Sequence, residues 1–203
     1  MRIKSWLAGL VLTGASASAL GATPSYDYLQ LDYVRVNPKG SAPDSRGGDL
    51  QISALIAPYL FFNAGYEFLR TDKFQQGLVD GRLQTHTGNI GLGGRLPLVP
   101  NILDATIGAD FIYTETTNKG GFQAVYADTH DSGYQVKSSV RANFRYFEVI
   151  PSVRYIYVDH DDFAFGIQAL GCPGYNVCLT AGYERFKRAE ASRYFGGLRF
   201  YFD

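Results

Sequence analysis

Three histidines, His86, His130 and His160, are the side chains of this chain that can change charge near neutral pH without help from their surroundings. His160 lies in the run Asp159-His160-Asp161-Asp162, and His130 lies between Asp128 and Asp131. An imidazole beside a carboxylate can activate water for hydrolysis, so either cluster is a candidate for general-base chemistry. The same oxygens are Ca²⁺ ligand types, but the run 159–162 lacks the ligand spacing of an EF-hand loop. Both clusters fall in polar segments between apolar ones, where such residues are ordinarily just solvated. The expectation is therefore no catalytic residue, no metal and no cofactor. Gly91-Leu92-Gly93-Gly94 lies within an apolar alternating stretch and opens no helix, so it is not a phosphate loop. Cys172 and Cys178, the two cysteines, flank five residues in a predicted turn. In an oxidising compartment they form a disulfide, worth about 2–3 kcal/mol in the loop-entropy account, whereas a metal site would need more ligands.

The elements that must position these residues are strands. Alternation of period two runs through most of the chain. Leu60, Phe62, Ala64, Tyr66 and Phe68 oppose Asn63, Gly65 and Glu67. Leu103, Ala105, Ile107, Ala109, Phe111 and Tyr113 oppose Asp104, Thr106, Gly108 and Asp110. Stretches 133–146 and 177–186 alternate equally well; 26–36, 48–57, 83–95, 147–158 and 163–170 do so more weakly. With 193–202 the pattern predicts ten strands. Short spacers at 57–58, 97–101, 146–147 and 171–176 take turns with longer polar ones at 37–47, 71–82, 116–132, 159–162 and 187–192. Pro151 inside the seventh strand cannot donate to a ladder, and a bulge is expected there.

One face of every strand is greasy, and aromatic residues reach 15% of the chain while charged residues are only 19%. A small soluble domain has nowhere to hide so many apolar faces; a closed transmembrane barrel turns them to lipid and its other faces to the lumen. The expected architecture is all-β, a ten-stranded antiparallel up-and-down barrel over 23–203. Tyr26, Tyr28, Tyr59, Tyr113, Tyr134, Tyr146, Tyr155, Tyr157, Tyr183 and Tyr194 are expected in aromatic girdles at the two interfaces. The lumen would then carry Asp32, Glu67, Asp104, Asp110, Glu148 and Glu184 against Arg95, Lys137, Arg141, Arg145, Arg154 and Arg199. Counting from the turns pairs Arg95 with Asp104 and Arg145 with Glu148, and brings Asp32 to Arg199 across the closing seam. Ten strands enclose little more than side chains can fill, so an ion-pair network plugging the barrel is expected ahead of a narrow polar pore. Net charge is zero, and no nucleic-acid partner is indicated.

The first residues fit export. Met1-Arg2-Ile3-Lys4 is basic, Trp6 to Leu12 is apolar, and small residues follow to Ala22, the layout of a signal peptide over 1–22. The last strand reads Gly196-Gly197-Leu198-Arg199-Phe200-Tyr201-Phe202, followed by Asp203.

On these residues the chain resembles the small outer-membrane β-barrel proteins of Gram-negative bacteria, from Tyr26 to Phe202. Gly197, Phe200 and Phe202 look like the signal by which the barrel-assembly machinery recognises its clients, although members of that class usually end on the final aromatic and here Asp203 follows. The resemblance implies an outer-membrane location, both termini in the periplasm, lipid as the surrounding partner and the assembly machinery as a partner during insertion. A second resemblance, in strand count and in acidic and His residues at the rim, is to the omptin proteases, but that family's motifs are not matched around either cluster. The leading expectation is a non-enzymatic structural or surface-interaction role. A narrow porin-like channel for small polar solutes comes second and an omptin-like rim protease third. Loop 116–132 is the expected contact surface, and its residues identify no extracellular partner.

Overall fold

Side chains that alternate between two environments make strands, and strands in hydrocarbon must pair on both edges because no water is there to take a free N–H or C=O. The chain meets this demand by closing on itself. The computed structural model describes residues 25–202, apart from 41, 73, 77–78, 119–128, 145 and 174–175. The predicted signal peptide, 1–22, lies outside the described residues, as does Asp203.

Ten antiparallel strands form the barrel: β1 (Tyr28–Pro38), β2 (Ser45–Ala57), β3 (Leu60–Thr71), β6 (Leu83–Val99), β7 (Leu103–Asn118), β8 (Thr129–Phe144), β9 (Phe147–Val158), β10 (His160–Gly171), β11 (Val177–Phe186) and β12 (Ala191–Tyr201). A small hairpin, β4 (Phe74–Gln76) and β5 (Val79–Gly81), rises from the connection between β3 and β6. Each barrel strand pairs with its chain neighbours, and β1 pairs with β12 from Tyr28↔Tyr201 to Pro38↔Ala191. The result is a closed meander without a free edge, the fold expected from the alternation.

The apolar faces point outward. Leu31, Tyr33, Ile90, Leu92, Ile107, Phe111, Ile167 and Leu179 are all exposed, Ile107 and Leu179 by about 61% and 62%. No second protein layer covers them among the described residues. The side chains buried inside are mostly polar or charged: Gln30, Asp32, Asp104, Arg141, Glu148 and Arg199. This is the inverse of a soluble barrel. It places lipid at the outer wall, since a charge there near mid-membrane costs roughly 2–4 kcal/mol.

The two ends differ. The short connections β2–β3, β6–β7, β8–β9 and β10–β11 lie at one end with both chain ends of the barrel; this is the short-turn end. Cys172 and Cys178 form a disulfide there, with Cα atoms 4.1 Å apart. The opposite, long-loop end carries the other connections. One of these is tighter than expected: segment 159–162 is no loop, because β9 turns directly into β10 at Asp159, which adopts a positive φ of 61°. β10 thereby gains the length that the alternation over 163–170 lacked. Strands β7 and β8 likewise extend into the expected loop 116–132, leaving its centre outside the described residues. No bulge forms at Pro151. The β8–β9 register is the same before and after it, from Ser139↔Ser152 to Ala142↔Val149, and only the pairing beside the imino acid lapses. Bulges occur instead at Leu55/Ala57 and Pro97/Val99, each next to a proline-bearing short turn.

Glycine is required at one place in the seam. A Cβ on Gly197 would lie 1.9 Å from the Leu31 carbonyl oxygen and 2.7 Å from Asp32 Oδ1. The Asp32 side chain crosses over this glycine to accept a hydrogen bond from Thr180 Oγ1 on the far side of β12. Gly197→Val should therefore loosen barrel closure, by at least the ~1–3 kcal/mol of an overpacked core. Loss of the heat-modifiable folded band on unboiled SDS gels at a lower urea concentration than for the parent would show it.

Candidate functional site in the barrel lumen

The inward side chains form two clusters. The first closes the short-turn end. Arg141 on β8 holds Glu148 on β9 in a two-pronged contact, Nε to Oε2 at 2.6 Å and Nη2 to Oε1 at 2.9 Å. This fork-to-fork geometry is the strongest form of the pair. The same guanidinium donates to Tyr201 Oη at 2.7 Å and to the Ser25 carbonyl at 2.7 Å. Segment 25–27 thus enters the barrel mouth. Tyr26 is only 5% exposed there, its ring between the guanidinium carbons of Arg95 and Arg141 at 5.1 and 5.2 Å. It stacks on Phe61 at 5.2 Å, and its hydroxyl donates to Asp104 Oδ2 at 3.1 Å. Asp27 adds two backbone ties, accepting from Leu55 N at its carboxylate and from Phe202 N at its carbonyl.

The second cluster is a belt around mid-barrel. Arg193 on β12 meets three carboxylates: Glu67 (Nε to Oε2, 2.9 Å), Asp49 (Nη2 to Oδ2, 2.8 Å) and Glu184 (Nη1 to Oε2, 3.0 Å). Glu184 also accepts from Arg154 Nη2 at 2.8 Å, and Arg154 donates to Gln135, which donates to Asp110 at 2.6 Å. One chain of contacts therefore links β7, β8, β9, β11, β12, β2 and β3 through the interior. Arg199 extends the first cluster to the seam: it donates to Tyr201 Oη at 3.3 Å and to Gln30 Oε1 at 2.7 Å through Nε, and lies 4.1 Å over the Tyr28 ring.

The expected pairs fare unevenly. Arg95 and Asp104 do meet, at 3.9 Å. Asp32 and Arg199 do not. Register sets Arg199 opposite Gln30 and Asp32 opposite Gly197, so Gln30 stands between them, accepting from Arg199 and donating to Asp32. Glu148 takes Arg141 as partner; Arg145 lies outside the described residues. Tyr26 and Tyr28 are lumen residues, not girdle residues: Tyr26 lies where the chain turns inward before β1, and Tyr28 shares the inward face of Gln30 and Asp32. Arg193 and Asp49, absent from the expected network, are central to it. The signal was parity: Arg193 shares a face with Arg199, and Asp49 with Gln51 and Ser53.

The network does not fill the lumen completely. A cavity of about 370 Å³ remains, lined from all ten barrel strands, by Asn63, Thr87, Asn89, Thr106 and Lys137 as well as by the network residues Arg154 and Arg193. Lys137 projects into it and makes no ion pair among the described residues.

The histidines are engaged elsewhere. His86 Nδ1 lies 2.5 Å from Tyr66 Oη and His130 Nδ1 3.1 Å from Tyr113 Oη, both on the outer wall. His160 contacts Asp159 at 2.7 Å, both exposed. Asp161 holds Arg188, and Asp162 accepts from the backbone of Phe163, Arg188 and Ala189. Lys39 hydrogen-bonds Glu190 across the long-loop end and holds that carboxyl below its ordinary range. The disposition of the rim acids is that of turn-closing groups. Among the described residues no group of three potential ligands gathers into a metal site.

Fold, outward apolar wall and charged lumen together define a transmembrane β-barrel of the outer-membrane type. A solved structure agrees on the fold. The chain is similar to the transport unit of the autotransporter AIDA-I from Escherichia coli, at 10% identity over 94% of each chain with a TM-score of 0.51. It is also similar to the KdgM porin in complex with disordered oligogalacturonate, at 12% identity over 86% of this chain and 99% of that one, TM-score 0.48. A third similar structure is the translocator domain of the autotransporter NalP from Neisseria meningitidis, at 12% identity over 86% and 87%, TM-score 0.48. No family model matches the chain, and no curated protein does.

Removing one charge from the belt tests its weight. Arg193→Ala leaves Asp49 and Glu67 without their guanidinium and Glu184 with Arg154 alone, and should cost about 3–5 kcal/mol, the usual loss on breaking a buried pair. Lys137→Ala, which breaks no pair, should fall within ~1 kcal/mol of the parent. Urea unfolding of both variants in lipid vesicles gives the comparison.

Proposed function

We propose that this protein is an integral outer-membrane barrel with a sealed, non-conducting lumen, which acts as a structural and surface-interaction element and performs no reaction. The observation that carries this reading is Tyr26. It closes the short-turn end between two arginines, hydrogen-bonded to a buried carboxylate and tied down on both sides by backbone contacts. A porin needs that mouth open. The absence of reaction is supported by the roles of the histidines and rim acids, which cap tyrosines and close turns rather than converge on a shared water site.

In this reading the short turns and both termini face the periplasm, because an even strand number returns the chain to the end it started from. The long-loop end faces outward and meets any external partner. The last strand, with Gly197, Phe200 and Phe202 on it, supplies the signal for the assembly machinery, and the wall meets outer-membrane lipid.

The second reading, a narrow polar channel, has the 370 Å³ cavity in its favour, with the Lys137 ammonium lining it. Planar bilayer recording separates the two. The refolded protein should show no steady single-channel steps, whereas Tyr26→Ala, which removes the seal while leaving the Arg193 belt in place, should admit small, short-lived steps. Stable conductance by the unaltered protein would replace the sealed reading with the channel.

A further inference from the structure

The outer wall carries a feature that the lumen does not explain. Arg35 on β1 pairs in register with Arg46 on β2, and Arg46 with Arg70 on β3. Three arginines therefore stand side by side in one row across three strands. Adjacent strands are about 4.8 Å apart, and like charges placed directly opposite each other destabilise a sheet. All three face outward: Arg35 continues the outer face of Leu31 and Tyr33, Arg46 that of Leu50 and Ile52, and Arg70 that of Tyr66. Asp44 and Asp72 offset two of the three charges, and the row keeps a net positive charge that attracts an external anion.

The rows beneath say which anion. One outward step towards mid-membrane, Tyr33, Gly48 and Phe68 are in register; one step further stand Leu31, Leu50 and Tyr66. Gly48 leaves a notch between two aromatic rings. A Cβ there would meet nothing nearer than the Asp32 carbonyl oxygen at 3.7 Å, so the notch is open space. Cations above, an aromatic-walled gap below and Leu50 at its floor match one amphiphile: a phosphate with an acyl chain hanging beneath it. The depth agrees as well, since the row sits at the long-loop border of the apolar wall.

The arginines keep donors free for it. Arg35 gives one amino group to Asp44 at 2.7 Å, and Arg46 one to Asp72. Each guanidinium has five N–H groups, and both side chains remain more than half exposed, at 57% and 62%. Arg70 has no ion pair among the described residues. Asp44 and Asp72 lie in the connections beyond the row and hold two of the forks in place from the loop side, leaving the membrane side clear. Tyr194 flanks the row at Arg35 and Gln84 at Arg70.

We propose that Arg35, Arg46 and Arg70, with the Gly48 notch, bind a phosphorylated lipid of the leaflet at the long-loop end, phosphate on the guanidiniums and acyl chain between Tyr33 and Phe68. The proposal rests on the membrane-spanning reading of the wall but not on the sealed lumen, so a conductance result leaves it standing. Native mass spectrometry of the full barrel in a neutral maltoside detergent provides the test, with bis-phosphorylated lipid A, its dephosphorylated form, phosphatidylcholine and inorganic phosphate as probes. The barrel should retain bis-phosphorylated lipid A in preference to the other three. Arg35→Gln/Arg46→Gln/Arg70→Gln should weaken retention by on the order of tenfold to a hundredfold. Gly48→Leu, which fills the notch without touching charge, should weaken it several-fold. Arg70→Gln alone, which breaks no ion pair, serves if the triple variant does not fold and should show a smaller loss in the same direction. Equal retention of phosphorylated and dephosphorylated lipid, or unchanged retention by the arginine variants, would overturn the proposal. Displacement by millimolar inorganic phosphate together with indifference to Gly48→Leu would reduce the site to an anion patch and overturn the lipid assignment.

Discussion

The pairing of β1 with β12 is the interaction on which the rest of this structure depends. In hydrocarbon an open edge leaves a row of N–H and C=O groups with no partner, at several kcal/mol each. Closure removes that cost only if the two terminal strands meet in register along their whole length, and here they do, from Tyr28↔Tyr201 to Pro38↔Ala191. The seam is also where the interior is most tightly interlocked. Asp32 reaches across Gly197 to Thr180, Gln30 bridges Asp32 and Arg199, and the carbonyl of Asp27 takes the N–H of Phe202. Backbone closure and lumen chemistry therefore form together: a seam slipped by one residue would turn Asp32 and Arg199 into lipid.

Once closed, ten strands leave an interior too narrow for bulk water and too polar to stay dry and unpaired. The chain resolves this by giving each buried guanidinium several acceptors. Arg193 takes three carboxylates, and Arg141 takes a carboxylate, a phenol and a backbone carbonyl. Such pairs gain little net stability over apolar packing, but losing one partner is costly. Their effect is to fix which strand faces which, since each fork is satisfied in one arrangement only. The space these forks do not occupy is the cavity, whose lining mixes network residues such as Arg154 and Arg193 with the small polar residues Asn63, Thr87, Asn89 and Thr106.

The strands were legible because a period of two is imposed by the pleat itself and the two environments differ sharply. All ten appear where the alternation places them, with β1, β7 and β12 facing as the pattern requires. Their ends were less legible. Thr114 and Thr116 on β7 and His130, Asp131 and Ser132 on β8 continue the ladder above the apolar wall, where water wets both faces and alternation vanishes. The lumen partners were legible only where register follows from a short turn. Arg95 and Asp104 sit beside one and were found. Across the seam no turn sets the count, and an error of two residues put Asp32 where Gln30 stands. Tyr26 was misplaced for a different reason: an aromatic just before a strand reads as a girdle residue, and only the pair of arginines waiting inside the mouth tells otherwise.

Arginine on the two faces of one sheet shows how environment decides the number of partners. Arg193, inside, is saturated with acceptors because nothing else in the lumen can compensate its charge. Arg46, outside, stands between two other arginines with a single carboxylate for company. The strand geometry is the same in both cases and so is the side chain. What differs is the medium: the lumen must carry its own counter-charge, whereas the border of a membrane holds water, ions and anionic headgroups that supply it from outside. The outward row is thus informative where the inward belt is not. A saturated arginine describes the fold, and an unsaturated one describes the surroundings in which the fold works.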